Sequence, residues 1–168
     1  MSDRPLVRHL AVLALAAAVV PVLAAEASAQ ADTRRAAHEQ LLERARVGAL
    51  RKLEQPGCLQ LLDEFKDRSG RPLAANLAEW DRTAVDYLRT TPFRDGSFHP
   101  LCRSGRSALI SVPGMRPVFV CPSFRREAEK DPWAAENWVI HEMLHTLGLG
   151  ENPPSSREIT LRVSQRCR

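Results

Sequence analysis

The chain has 168 residues, 24 basic against 20 acidic side chains, a formal net charge of +4 and only 5% aromatic residues. Its arginines are scattered among acids and no aromatic–basic interleaving occurs, which excludes a nucleic-acid binder of the usual basic kind. The length leaves room for one sizeable core and no second.

Arg4 and Arg8 form a basic n-region, Leu10 to Leu23 an apolar h-region, and Ala27-Ser28-Ala29 an A-x-A cleavage pattern. Residues 1–29 are therefore expected to be a signal peptide and 30–168 a single domain. An uncleaved anchor is the competing reading, but the apolar run is short, alanine-rich and interrupted by Pro21, and no membrane span is expected after cleavage. A secreted or periplasmic location follows. There Cys58, Cys102, Cys121 and Cys167, an even count with no CxxC pair, read as two disulfides and not as zinc ligands. Cys102 and Cys121 flank a predicted hairpin and are expected to pair, which leaves Cys58 to Cys167.

From Ala31 to Gln55, Leu42, Ala45, Ala49 and Leu53 recur at helical spacing, and Pro56-Gly57 is expected to end that helix. Cys58 to Arg68 reads as a shorter helix. Pro72 to Leu88 presents Leu73, Leu77, Trp80, Ala84, Tyr87 and Leu88 on one stripe, whereas Thr91 to Gly105, rich in Pro, Gly, Ser and Asp, reads as a loop. Ala108–Val112 and Met115–Cys121 flank Pro113-Gly114, a type II turn dipeptide, and predict an antiparallel hairpin whose second strand is Val118-Phe119-Val120.

Asp131-Pro132 reads as N-cap and first helical position, and Trp133 to Leu147 runs without Gly or Pro until Gly148. The segment is apolar nearly all round, which predicts a buried central helix. Within it lies His141-Glu142-Met143-Leu144-His145, the HExxH pattern, which a chain of this composition carries by chance about once in a hundred shuffles. Residues i and i+4 share a helix face, so His141 and His145 can hold one zinc ion. Glu142 is then placed to act as general base on a metal-bound water whose pKa the ion lowers. The bland alternative is a hydrogen-bonded pair of core histidines with Glu142 paired to an arginine.

Catalytic zinc takes three protein ligands. Glu151, in His-Thr-Leu-Gly-Leu-Gly-Glu, falls where the extended HExxHxxGxxH pattern has its third ligand, with Gly148 at the turn; it is the favoured candidate. Glu158 is the other, although the capping box Ser155-x-x-Glu158 already accounts for it. In the last helix Ile159, Val163 and Cys167 share one face, so a disulfide at Cys167 is expected to hold the Glu151 turn against the central helix.

From the hairpin to the C-terminus the chain resembles a zincin metallopeptidase, and the run HTLGLGENPPSS with the terminal Arg-Cys resembles a group of small, uncharacterised secreted bacterial zincin-like proteins. The resemblance implies a strand of a small sheet above the helix, along which a peptide could lie extended. Two family features are missing. No methionine follows the motif to form a Met-turn, and no His or Tyr follows His145 to steady an oxyanion, so Arg157, Arg162 and His99 are the remaining candidates for that role.

The expected protein is an α+β, mostly helical single domain with a small antiparallel hairpin packed on a central HExxH helix and two disulfides. Its expected function is that of a secreted monomeric zinc metallopeptidase acting on peptide, protein or cell-envelope material, with His141, His145 and Glu151 as ligands and Glu142 as base. The alternative is an exported binding or envelope-structural protein with a structural or degenerate zinc site.

Overall fold

The computed structural model describes residues 6–168, and within 6–28 only the backbone apart from Glu26. Arg4 of the expected signal n-region lies outside the described residues; 6–29 is helical backbone. Two compact units divide the chain, Met1–Glu39 and Gln40–Arg168. Helix α1, Leu6–Leu53, begins well upstream of the helix expected from Ala31. Among the described residues no helix is long and apolar enough to cross a membrane.

The second unit is mostly helical with a small mixed sheet. After α1 come α2 (Pro56–Leu59) and α3 (Leu61–Glu64), then α4 (Leu73–Glu79) and α5 (Ala84–Thr90). The single helix expected over Pro72–Leu88 is therefore two. Asp81 takes a left-handed φ of 51°, and the Thr83 hydroxyl caps α5 by accepting from the Asp86 N–H. That break turns Trp80 outward while Leu73, Leu77, Ala84, Tyr87 and Leu88 stay buried. Likewise Pro56, expected only as a stop, starts α2 at a position where its missing N–H costs nothing.

The loop expected over Thr91–Gly105 contains strand β1 (Phe93–Asp95) and helix α6 (Pro100–Arg103). β2 (Leu109–Ser111) and β3 (Val118–Val120) form the anticipated antiparallel pair, with Leu109 opposite Val120 and Ser111 opposite Val118. Gly114, at φ 81°, supplies the turn, closed by the Met115 N–H donating to the Val112 carbonyl at 2.9 Å. β1 then pairs parallel to β3, so the sheet order is β1-β3-β2 and the sheet is mixed rather than purely antiparallel. β2 is left as one edge.

α7 (Ser123–Lys130) leads into α8 (Pro132–Thr146), the expected central helix. Its start is as the sequence reads: Asp131 caps it by accepting from the Ala134 N–H at 2.9 Å, and Pro132 is the first helical residue. Val139, Ile140, Met143 and Leu144 are fully buried between the sheet and the surrounding helices. On its first turns the buried Lys52 of α1 donates to Asn137 Oδ1 at 2.8 Å and pairs with Glu136 at 2.9 Å, with its ammonium over the Trp133 ring. A buried ammonium needs such partners, and their arrangement fixes α1 against α8.

α9 (Ser156–Arg166) packs back onto α8 and onto α2 and α3. Ile159, Val163 and Cys167 form its buried stripe. Both disulfides pair as expected: Cys58–Cys167 ties α2 to the end of α9, and Cys102–Cys121 ties α6 to the end of β3. The first spans 109 residues of chain and the second 19. In the chain-entropy account these loops contribute about 5 and about 3 kcal/mol. Urea unfolding of the two Cys→Ser pairs should accordingly show the larger loss for Cys58/Cys167; a larger loss for Cys102/Cys121 would contradict the entropic ranking.

Candidate functional site

The C-terminal end of α8 is built by a glycine stop. Gly148 takes φ 111°, a conformation costly for any residue with a Cβ. Its N–H donates to the His145 carbonyl at 2.8 Å and the following Leu149 N–H to the Leu144 carbonyl at 3.1 Å, the paired bonds of a Schellman motif. A Cβ at Gly148 would also stand 3.0 Å from the Asp67 side chain. The stop is clasped from outside: Asn76 Nδ2 donates to the Leu147 carbonyl at 2.8 Å and to Asp67 at 3.2 Å, and Asp67 forms an isolated bridge with Leu149. Burial acts to raise the Asp67 pKa but is outweighed by hydrogen bonds from Arg71, Asn76 and Ser69, which hold the carboxyl well below the usual carboxylate range.

This turn sends the chain back beneath the helix, and the result reaches the two histidines. His145 Nδ1 lies 2.7 Å from the Leu149 carbonyl. A carbonyl only accepts, so Nδ1 carries a proton, and in that tautomer of the imidazole Nε2 carries the lone pair. His141 Nδ1 lies 3.0 Å from Thr160 Oγ1 on α9. Both rings are thus anchored from behind, and their Nε2 atoms face one another at 3.1 Å. Glu151 Oε1 completes the group, 3.3 Å from His145 Nε2 and 3.9 Å from His141 Nε2. Both imidazoles are about 95% buried, whereas the carboxylate is 40% exposed on the open side. Burial and then the neighbouring His145 push the His141 pKa down to about 3, so at neutral pH the ring is uncharged and carries one N–H and one lone pair.

Three ligand atoms of His, His and Glu lie within 4.8 Å of one another. Tetrahedral zinc with bonds of about 2.1 Å separates neighbouring ligand atoms by about 3.4 Å, close to the three spacings seen here. The donor set is that of a three-ligand site with one open position, and each imidazole has the hydrogen-bonded rear nitrogen such ligands need. The residues fit a zinc ion.

Glu142 follows His141 on α8 and is held from the sheet. Its Oε2 accepts from Ser111 Oγ, on edge strand β2, at 2.5 Å. Burial raises its pKa and the Ser111 hydrogen bond acts against that rise. A cleft of about 400 Å³ is lined by His141, Glu142, His145, Glu151, Ser111 and Arg68, among others. A second of about 350 Å³ adjoins it, sharing His141 and Glu142 and reaching Thr160 and Arg106. The group is therefore open to a ligand along the β2 side.

Of the other residues singled out from sequence, Glu158 is not brought into this group. Its N–H donates to the Ser155 hydroxyl at 3.3 Å, as a cap requires, but its carboxylate accepts from Arg162 instead. Arg162 in turn lies over the Phe65 ring. His99 caps α6 and stacks on Phe119, and Arg157 is exposed. α9, which the Cys58–Cys167 disulfide fastens at its end, also carries Thr160 to His141.

Ser111, Thr160, Asn76, Asp67 and Arg68 are additions from the structure. Nothing near them in sequence marks them, since each meets the helix through the fold. Compared with protein-family models, with curated proteins and with solved structures, the chain matches none.

Glu151→Gln should weaken zinc binding, read by competition with a chromophoric chelator, far more than Glu158→Gln, which loses only a half-exposed pair with Arg162 worth at most about 1 kcal/mol of stability. Loss of zinc in Glu158→Gln with none in Glu151→Gln would reverse the assignment. Thr160→Val should lower the affinity about ten- to hundredfold by freeing the His141 ring; an unchanged affinity would show that the contact does not orient it.

Proposed function

We propose that this protein is an exported zinc-dependent peptidase in which His141, His145 and Glu151 hold the ion and Glu142 is the general base. The observation that supports the reading is the meeting of three ligand atoms, from His141, His145 and Glu151, in a cleft that Glu142 also lines. Two disulfides support export to an oxidising compartment.

When bound, zinc would supply Lewis-acid polarisation of the scissile carbonyl and a lowered pKa for water in the cleft. The chain supplies the rest. Ser111 Oγ holds one carboxylate oxygen of Glu142, so the remaining oxygen is the one that takes a proton from the attacking water and returns it to the departing amine nitrogen. Burial favours that return, because a carboxyl with a raised pKa keeps a proton more readily than an exposed one. The rear hydrogen bonds to Leu149 and Thr160 stop both imidazoles from turning, so donor positions are set in advance. Edge strand β2, which ends at Ser111, is the side of the sheet along which an extended peptide can pair. This reading takes the peptide as substrate and the monomer as the working form.

Glu142→Gln keeps the shape of the side chain and removes its basicity. The variant should retain stoichiometric zinc and lose at least about 10²-fold in turnover on a peptide library. Zinc-loaded parent protein without turnover on any peptide would instead support a binding or envelope-structural role for the same site.

A further inference from the structure

Among the described residues, Arg68 is the only lysine or arginine lining the cleft that holds His141, Glu142, His145 and Glu151. Its position is set by the residue before it. The Asp67 carboxylate accepts from the Ser69 N–H and hydroxyl, the Arg71 N–H and guanidinium and the Asn76 amide, and its backbone bridges to Leu149. Arg68 is thereby carried alongside the turn that bears Glu151. Its stem crosses Gly150, with Cγ and Nε each 3.7 Å from where a Cβ on that residue would stand. Glu151 is the next residue, yet its carboxylate faces the two histidines and not the guanidinium. Arg71, three residues on, is by contrast fully engaged by Asp67, Glu79 and Asn76.

The charges in the cleft make this meaningful. If a divalent ion sits on the three donors, it offsets Glu142 and Glu151, and Arg68 is then left as an uncompensated positive charge beside the reacting centre. A guanidinium presents a planar fork that matches a carboxylate in bidentate fashion. We propose that Arg68 binds a carboxylate of the substrate, so that this protein prefers peptides that present one to the cleft. The assignment rests on the peptidase reading for its substrate class but not for the anion contact itself. An acidic side chain and a free C-terminus share this chemistry.

The test uses zinc-loaded protein and peptides matched in pairs, Glu against Gln at one internal position and free against amidated C-terminus. The parent should favour the carboxylate-bearing member of one pair by about tenfold in kcat/KM, and the pair that shows it identifies the source of the carboxylate. Arg68→Gln should abolish the preference through a higher KM for the acidic member, whereas Arg125→Gln, on α7 and paired with Glu129, should keep it. Equal kcat/KM within both pairs, or a preference that survives Arg68→Gln, overturns the proposal.

Binding of the same peptides to the Glu142→Gln protein by calorimetry, with and without Arg68→Gln, reads the contact without turnover. Carboxylate-dependent binding lost with Arg68 while the parent cleaves nothing would sink the peptidase reading and leave the anion contact standing. Cleavage without preference would do the reverse.

Discussion

Two buried imidazoles held nose to nose are the constraint on which the rest of this molecule depends. Nitrogens 3.1 Å apart are joined either by an N–H of one ring or by a cation between them. A single N–H between the rings satisfies the pair and leaves the half-exposed Glu151 Oε1, beside both nitrogens, to solvent. A divalent cation satisfies all three donors at once, and the spacing suits tetrahedral zinc. The carboxylate, rather than the histidine pair, is therefore what supports the proposed metal site over a pair of core histidines.

Much of the fold serves to hold that arrangement. The Schellman stop at Gly148 returns the chain so that the Leu149 carbonyl meets His145, and the Asp67–Asn76 clasp keeps the stop in place. On the far side α9 carries Thr160 to His141, and α9 is itself secured by its buried stripe and by Cys58–Cys167. Edge strand β2 brings Ser111 to Glu142. Four separate segments thus converge on one helical turn and a half. Buried polar groups at such a turn cost free energy unless each is satisfied, and here the surrounding chain satisfies the rear of both rings.

Local chemistry was legible wherever one segment decides its own shape. The Asp131-Pro132 start of α8, its glycine stop, the Ser155 cap, the Pro113-Gly114 turn and the stripe on α9 are each written in a few adjacent residues. Where distant segments decide, the reading failed. β1 is a strand because β3 lies beside it in parallel, and nothing in its Pro-, Gly- and Asp-rich surroundings says so. The stripe from Leu73 to Leu88 kept its apolar period across a break, since Trp80 fits the spacing while facing outward; Thr83 with Asp86 three residues later was the cap signal that could have exposed it. In the site, the HExxH spacing and the turn glycine singled out His141, Glu142, His145 and Glu151, while their partners Ser111, Thr160 and Asn76 come from other elements and carry no mark of their own.

The proposed chemistry needs few residues, and the second unit places them in one cleft beside edge strand β2. Its central claim is the ligand set. X-ray absorption at the zinc edge of the purified protein measures that set directly. The account predicts one zinc per chain with two imidazole nitrogens and carboxylate or water oxygens at about 2.0–2.2 Å, and loss of one imidazole in His141→Ala. A sulfur shell, or protein that takes up no stoichiometric zinc at neutral pH, would contradict it.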